Sequence, residues 1–163
     1  MTKITRDQTW ICLDENALLG VTADTPKWVR IRKSTISEIQ YNAQTETMGY
    51  IDTPNDTTEI TGYAPTMEQE TLIETEGLYP AVAAFARRLP IGVSAKVPAL
   101  IVYYNPESAA TTDGDLYAEA SVTAQASNFK DGIVSFTINL NGTPQKVIVA
   151  SSEGEITTTP ATA

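Results

Sequence analysis

A pair of glutamates offers the most obvious chemistry in this chain. Glu68 and Glu70 are separated by one residue in a stretch whose alternation predicts a β-strand. Neighbours on one strand face are about 7 Å apart, which is near the carboxylate separation of inverting glycosidases. Any two acids on a strand face share that spacing, and the chain has no histidine to act as a general base. We therefore expect no catalytic residue and no enzyme activity.

Metal and cofactor chemistry has equally little support. Asp52, Asp56 and Glu59 could supply oxygen ligands, but their spacing does not match a helix-loop-helix calcium site. A solvated loop over residues 52–59 explains them better, since Pro, Asn and Asp follow one another there. The single Cys12 excludes an internal disulfide, and its apolar neighbours predict a buried, inert thiol. We expect no metal and no cofactor.

The distribution of charge is the most informative feature. The chain has twenty acidic and eleven basic residues, a net charge of -9. Between Ser34 and Ala86 there is no Lys or Arg at all, and the surplus acids of that stretch account for the net charge. They are Glu38, Glu46, Asp52, Asp56, Glu59, Glu68, Glu70, Glu74 and Glu76. A folded surface of this kind repels polyphosphate and attracts basic partners.

A basic cluster precedes the acidic stretch. It comprises Lys27, Arg30, Arg32 and Lys33 on a predicted strand. The acidic total argues against a nucleic-acid interface. Two interpretations stay equally open. The cluster is an ordinary solvated strand, or it meets the acidic segment of a second copy in a head-to-tail contact.

Extended segments rich in Thr, Val, Ile and Tyr must position these charges. Residues 36–51 are predicted to be extended, with a bend near Ala43 or Gly49, and residues 66–74 form the strand that carries the glutamate pair. Residues 19–24 are expected to be a short strand or a turn. One helix is predicted between Gly77 and Pro90. Its apolar stripe comprises Val82, Phe85, Ala86 and Leu89.

The strongest local signal is Asn141-Gly142, the preferred two-residue hairpin turn. A hairpin closed there pairs Phe136 with Val147 and Val134 with Val149. Some eight strands and one helix predict a mainly β protein, a β-sandwich or open barrel with one short flanking helix. We expect a single domain over residues 1–150 and a flexible C-terminal tail over residues 151–163. No apolar run is long enough to cross a bilayer, so a soluble protein made in a cytoplasm is expected.

Residues 48–92 resemble a known family. The block from Met48 to Glu70 reads MGYIDTPNDTTEITGYAPTMEQE, and GLYP and a short helix ending ARRLPIG follow it. This block is similar to the major tail tube protein of long-tailed, siphovirus-type bacteriophages. The likeness in the order of elements extends over roughly residues 28–150.

The resemblance implies a β-sandwich whose copies join edge to edge into hexameric rings. The rings stack into a virion tail tube around a tape-measure protein, and tail terminator and tail-tip proteins bound the tube. Assembly takes place in the host cytoplasm, and DNA later passes through the lumen without specific binding. Glu68 and Glu70 are then candidates for lining the lumen. The candidates for subunit contacts are Lys27, Arg30, Arg32, Lys33, Asp52, Asp56 and Glu59.

Three alternatives stay open. The inner tube of a contractile tail or injection device shares the implied fold. A monomeric β-sandwich that binds carbohydrate would need exposed aromatic side chains, for which Tyr103 and Tyr104 are candidates. A carboxylate enzyme is the least favoured, because the glutamate pair has no distinctive setting.

Overall fold

A computed structural model describes residues 8–34, 36–103, 111–152 and 155–161. In chain order the elements are β1 (Trp10–Asp14), α1 (Glu15–Leu19), β2 (Trp28–Arg30), β3 (Ile36–Gln40), β4 (Ala43–Met48), β5 (Thr57–Tyr63), β6 (Thr66–Leu72), α2 (Tyr79–Arg87), β7 (Ala99–Val102), β8 (Thr111–Tyr117), β9 (Ser121–Asn128), β10 (Ile133–Asn139), β11 (Gln145–Ser152) and β12 (Glu155–Pro160). A 3-10 turn, Gly92–Ala95, lies between α2 and β7. The described part therefore holds more strands than the eight expected.

The strands form three antiparallel sheets. A six-stranded sheet has the order β12-β11-β8-β7-β1-β2, and a four-stranded sheet has the order β3-β6-β10-β9. The third sheet consists of β4 and β5, which have no other strand partner in the ranges just given. The six-stranded sheet curls so that its two edge strands, β12 and β2, approach each other as in an open barrel. The predicted class, mainly β with one short flanking helix, is confirmed.

Two apolar clusters lie on opposite faces of the six-stranded sheet. Leu13 and Ile101 face a cluster shared with the four-stranded sheet and with Phe85 of α2. Cys12, next to Leu13, and Leu100, next to Ile101, face a second cluster inside the curled sheet. Because side chains alternate along a strand, both faces of this sheet are covered, and every residue of β7 is buried.

The predicted helix is confirmed as α2, with a proline in its first turn. Val82 and Phe85 of the stripe are fully buried. Leu89 is not part of the helix, contrary to the prediction. Pro90 disfavours a helical conformation at the residue before it, so the helix ends at Arg87, and Leu89 adopts φ 47° and is 81% exposed.

A second short helix, α1, stands just before the segment expected to be a strand or turn. The Asp14 side chain accepts a hydrogen bond from the Asn16 N–H at 3.0 Å and caps the helix. Gly20, with φ 71°, ends it in the left-handed conformation. The Arg88 guanidinium donates to the Leu18 carbonyl and joins the end of α2 to α1.

The predicted hairpin at Asn141-Gly142 is wrong, although Gly142 does take a positive φ of 74°. β10 lies between β6 and β9, and β11 lies between β8 and β12, so the turn connects two different sheets. Phe136 is in register with Gln69 and Ala124, and Val147 with Gly114 and Pro160. Both edges of each strand are already occupied, and the alternating pattern suits a strand of either sheet.

The expectation of a flexible tail from residue 151 also differs from the structure. β11 continues to Ser152, and β12 pairs with it in antiparallel register. Ile156 packs against the second cluster, and threonines of high β-propensity follow it, so the segment completes the curled sheet. In the described part no helix is long and apolar enough to span a membrane.

Candidate functional site

The outer face of the four-stranded sheet carries the glutamate pair. Along β6, Met67, Gln69 and Thr71 are buried, and the intervening Glu68 is exposed and Glu70 half-buried. Glu38 of β3 stands directly opposite Glu68 in the register. The structure therefore places Glu68 and Glu70 on one face, as predicted, and adds a third carboxylate. Lining of a lumen stays a prediction.

Hydroxyl and amide groups continue this face across β10 and β9. Asn139 donates to the Ser121 and Thr123 hydroxyls at 3.2 and 3.1 Å, and Gln125 donates to Thr137 at 3.3 Å. None of the four strands contains Lys or Arg. We call the set Glu38, Glu68, Glu70, Thr123, Gln125, Thr137 and Asn139 the acidic sheet face. It is polar and hydrogen-bonded and carries one sign of charge.

The two edge strands of this sheet, β3 and β9, each have one strand partner within the described residues. An isolated bridge from Lys96 to Ser121 touches the outer edge of β9 only at its beginning. The remainder of β9, from Thr123 to Asn128, is exposed. Open edges present unpaired N–H and C=O groups, which makes them templates for a strand of another chain.

The hairpin formed by β4 and β5 stands away from the rest of the fold. From Ala43 to Thr61 every side chain is exposed except that of Met48, and Ile51 at the tip is 108% exposed. Asn42 anchors the base, because its side-chain amide donates to the Ala64 carbonyl and the Thr66 hydroxyl, each at 3.0 Å.

The hairpin holds all three acidic contact candidates. Asp52 and Asp56 lie in the exposed tip, residues 49–56, as the predicted loop requires. Glu59 belongs to β5 instead, directly opposite Glu46 of β4. A two-stranded hairpin is only marginally stable in water, and like charges in register weaken it further. Its exposure and charge suit it to contact another molecule.

The basic cluster lies on one wall of a cavity of about 920 Å³, beside β2 and β12. The structure brings Lys27, Arg30, Arg32 and Lys33 together there. Lys27 pairs with Glu15 at 3.0 Å, and Lys33 pairs with Glu74 at 2.5 Å. The Arg30 guanidinium lies over the Trp10 ring at 4.8 Å. Much of this basic charge is therefore compensated within the chain.

Among the described residues, the pKa is perturbed at Cys12 and Tyr103. Burial raises the pKa of the Cys12 thiol to about 12, although the nearby Arg30 opposes the shift. The predicted buried thiol is confirmed. Burial first, and then a hydrogen bond with Tyr117, raises the pKa of Tyr103, which is 46% exposed. Tyr104, the other candidate of the carbohydrate alternative, lies outside the described residues.

One surface was missed by sequence reasoning. Leu89, Ile91 and Val93 are 81%, 82% and 82% exposed, after α2. The available signal was the alternation of these apolar residues with Pro90 and Gly92, two residues that disfavour a helix. That alternation was assigned in part to the helix stripe, where it does not belong.

Comparison with known proteins shows what this geometry resembles. One similar solved structure is the sheath/tube terminator of PVC, an extracellular contractile injection system, in its extended state. The TM-score is 0.54 at 10% identity, over 93% of this chain and 99% of the other. A chain of the anti-feeding prophage baseplate aligns with a TM-score of 0.53 at 10% identity, over 90% of this chain and 96% of the other.

At this identity the likeness concerns the fold. No protein-family model and no curated protein matches the sequence. The chain therefore has a fold that occurs in an extracellular contractile injection system and in the anti-feeding prophage baseplate.

Proposed function

We propose that this chain is a structural, non-enzymatic subunit of a phage-type tail tube. Copies join through the open edges of the four-stranded sheet into rings, and the rings stack into a tube. The single observation that carries the proposal is this sheet. Within the described residues it has open edges at β3 and β9, and one of its faces is buried. The other face carries Glu38, Glu68 and Glu70, and none of the four strands contains Lys or Arg.

Pairing between the edge strands of neighbouring copies joins their four-stranded sheets into one continuous sheet. When β3 of one copy pairs with β9 of the next, every copy uses two different edges. Such a heterologous contact forms a ring when the rotation from one copy to the next closes on itself. The acidic sheet face then repeats around one wall. Siphovirus-type tubes and six-fold rings are the finer form of the proposal, and they rest on the sequence resemblance.

The acidic sheet face is suited to the inner wall. Glu38, Glu68 and Glu70 repel the phosphates of passing DNA, so the wall does not bind its cargo. Threonine, glutamine and asparagine side chains keep the remaining surface wet. The partners in this arrangement are other copies of the chain, a tape-measure protein inside the lumen, and terminator and tip proteins at the ends. The place of action is the virion tail, after assembly in the host cytoplasm.

A second candidate is favoured by the solved structures. One neighbour is the sheath/tube terminator of an extracellular contractile injection system, and the other belongs to the anti-feeding prophage baseplate. In that case this chain forms the inner tube of a contractile device, or one ring at its end. Each ring of tube subunits exposes a face to which the next ring can bind, whereas a terminating ring exposes no such face.

The test is assembly of the purified chain at rising concentration, followed by sedimentation velocity and negative-stain electron microscopy. Hollow tubes are expected for a tube subunit, and isolated rings for a terminating component. The matched variant replaces the hairpin, residues 43–63, by a short Gly-Ser linker. We expect it to unfold cooperatively as a folded monomer, with a circular dichroism spectrum that lacks only the contribution of β4 and β5, and to form no tubes.

Two results would count against the proposal, and a third would change only the role of the hairpin. A chain that stays monomeric at the highest attainable concentration would refute it. Glycan binding by that monomer would support the carbohydrate-binding alternative. Tubes of normal length from the linker variant would remove the hairpin from the mechanism while leaving the edge contact intact.

A further inference from the structure

The segment after α2 exposes more apolar surface than a solitary folded chain needs. We call residues 89–93 the apolar loop. Its three large side chains, Leu89, Ile91 and Val93, are each more than four-fifths exposed. Single exposed apolar residues are common on protein surfaces, whereas a contiguous group of them marks an interaction site.

Positive charge borders the apolar loop. Arg87 and Arg88 immediately precede it, and neither forms an ion pair with a carboxylate in the described ranges. Each holds a backbone carbonyl instead: Arg87 donates to that of Ala83 at 3.4 Å, and Arg88 to that of Leu18. A partner for this surface should therefore combine an apolar contact with negative charge.

The tip of the β4–β5 hairpin has that combination. Tyr50 and Ile51 are exposed at its end, and Asp52 and Asp56 lie beside them in the same turn. Neither aspartate pairs with a described cation. The hairpin tip and the apolar loop are thus complementary in polarity and opposite in charge.

The hairpin and the apolar loop are attached at opposite edges of the four-stranded sheet. The hairpin extends from the β3–β6 side of the four-stranded sheet. The apolar loop leads through the 3-10 turn to Lys96, which bridges to Ser121 on the outer edge of β9, the opposite edge of the same sheet. When one copy's β3 edge faces the next copy's β9 edge, the two surfaces come to the same side of the junction.

We propose that the hairpin tip of one copy docks on the apolar loop of a neighbouring copy, with Ile51 in the apolar contact and the tip aspartates facing Arg87 and Arg88. This inference rests on the proposed function, because it needs copies that associate head to tail. It assigns the receiving surface of the hairpin to the end of α2 rather than to the basic cluster of β2, whose lysines already have partners.

Cysteine cross-linking tests the docking directly, because the native Cys12 is fully buried and does not compete. Ile51→Cys and Ile91→Cys proteins are mixed in equal amounts under assembling conditions with copper-phenanthroline as the oxidant. We expect a disulfide-linked dimer in the mixture at several times its level in either protein alone. The matched control is Phe129→Cys, at an equally exposed apolar position (78%) beyond the far end of β9. It should not cross-link to Ile51→Cys.

A second measurement does not depend on an engineered thiol. Ile91→Asp should raise the concentration needed for assembly by roughly ten- to hundredfold, the value of one buried aliphatic side chain. Phe129→Asp should leave it unchanged, and both monomers should keep the wild-type circular dichroism spectrum.

The outcomes separate the inference from the function on which it rests. Assembly without the 51–91 cross-link, or with equal cross-linking to position 129, overturns the docking and leaves the ring proposal standing. Equal assembly of the two aspartate variants overturns the docking as well. No association of the wild-type chain under any condition refutes both proposals.

Discussion

Neutralising Glu68 should stabilise the isolated chain. Glu68 faces Glu38 across the β3–β6 pair and lies two residues from Glu70 on the same face. No Lys or Arg belongs to any strand of this sheet. Glu68→Gln keeps the size and shape of the side chain, replaces one carboxylate oxygen by an NH2 donor and removes the charge.

The magnitude follows from the register. Two carboxylates about 6–7 Å apart in water repel by about 0.6–0.7 kcal/mol, so the two neighbours together contribute about 1.3 kcal/mol without screening. At physiological salt the Debye length is about 8 Å, which reduces the sum to about 0.5 kcal/mol. For a chain of this size, 1 kcal/mol corresponds to about 2–4 °C in Tm. We expect a gain of about 3–5 °C at low salt and about 1–2 °C at 0.15 M.

The assay is thermal denaturation followed by circular dichroism, below the assembly concentration and across a salt series. Glu76→Gln is the control, because it makes the same change of net charge at an exposed site outside the strands. A Glu68→Gln protein no more stable than Glu76→Gln at low salt would show that the carboxylates of the acidic sheet face do not repel one another. A gain that persisted at 1 M salt would show that its cause is not electrostatic.

Three further predictions concern stability and reactivity. Cys12 should resist iodoacetamide at pH 8 in a mass-spectrometric labelling assay, because its thiol is buried and protonated. Burial of the neutral thiol contributes its full share of the unfolding free energy below pH about 9, and this share should be lost as the pH rises toward 12. Gly114→Ala should lower the unfolding free energy by about 1–3 kcal/mol in urea, because the new Cβ would lie 2.8 Å from a Val149 methyl, while Gly62→Ala, with open space around it, should change far less. Leu89→Gly should raise monomer stability by about 0.5–1 kcal/mol, because it relieves a positive φ at an exposed residue, and should weaken assembly in sedimentation.

The sequence was sufficient where one local pattern has one structural meaning. Alternation placed Glu68 and Glu70 on a common face, and the apolar neighbours of Cys12 indicated its burial. Both conclusions need only the period of a strand and the hydrophobic effect. The helix α2 was predicted for a similar reason, since proline and glycine bracket a stripe of period 3.6.

Where a local pattern is compatible with two structures, the sequence alone did not determine which one forms. Asn141-Gly142 permits a hairpin, but it equally permits a corner between two sheets, and the choice depends on which strands already have partners. Leu89 fits a helical stripe by spacing, and only the effect of Pro90 on the preceding residue removes it. Glu38 was not recognised as part of the face, because strand pairing across 30 residues of chain is not visible in local spacing.

The free-standing hairpin has a consequence for the timing of polymerisation. Its two strands are held mainly by each other and carry opposed glutamates, so a first encounter must order the hairpin before it gains a stable contact. A copy that joins a formed ring meets two neighbours at once. The second contact then offsets the free-energy cost of ordering the hairpin. Growth should therefore show a lag at low concentration that preformed rings abolish. The chain could then accumulate as folded monomer until an initiating complex is present.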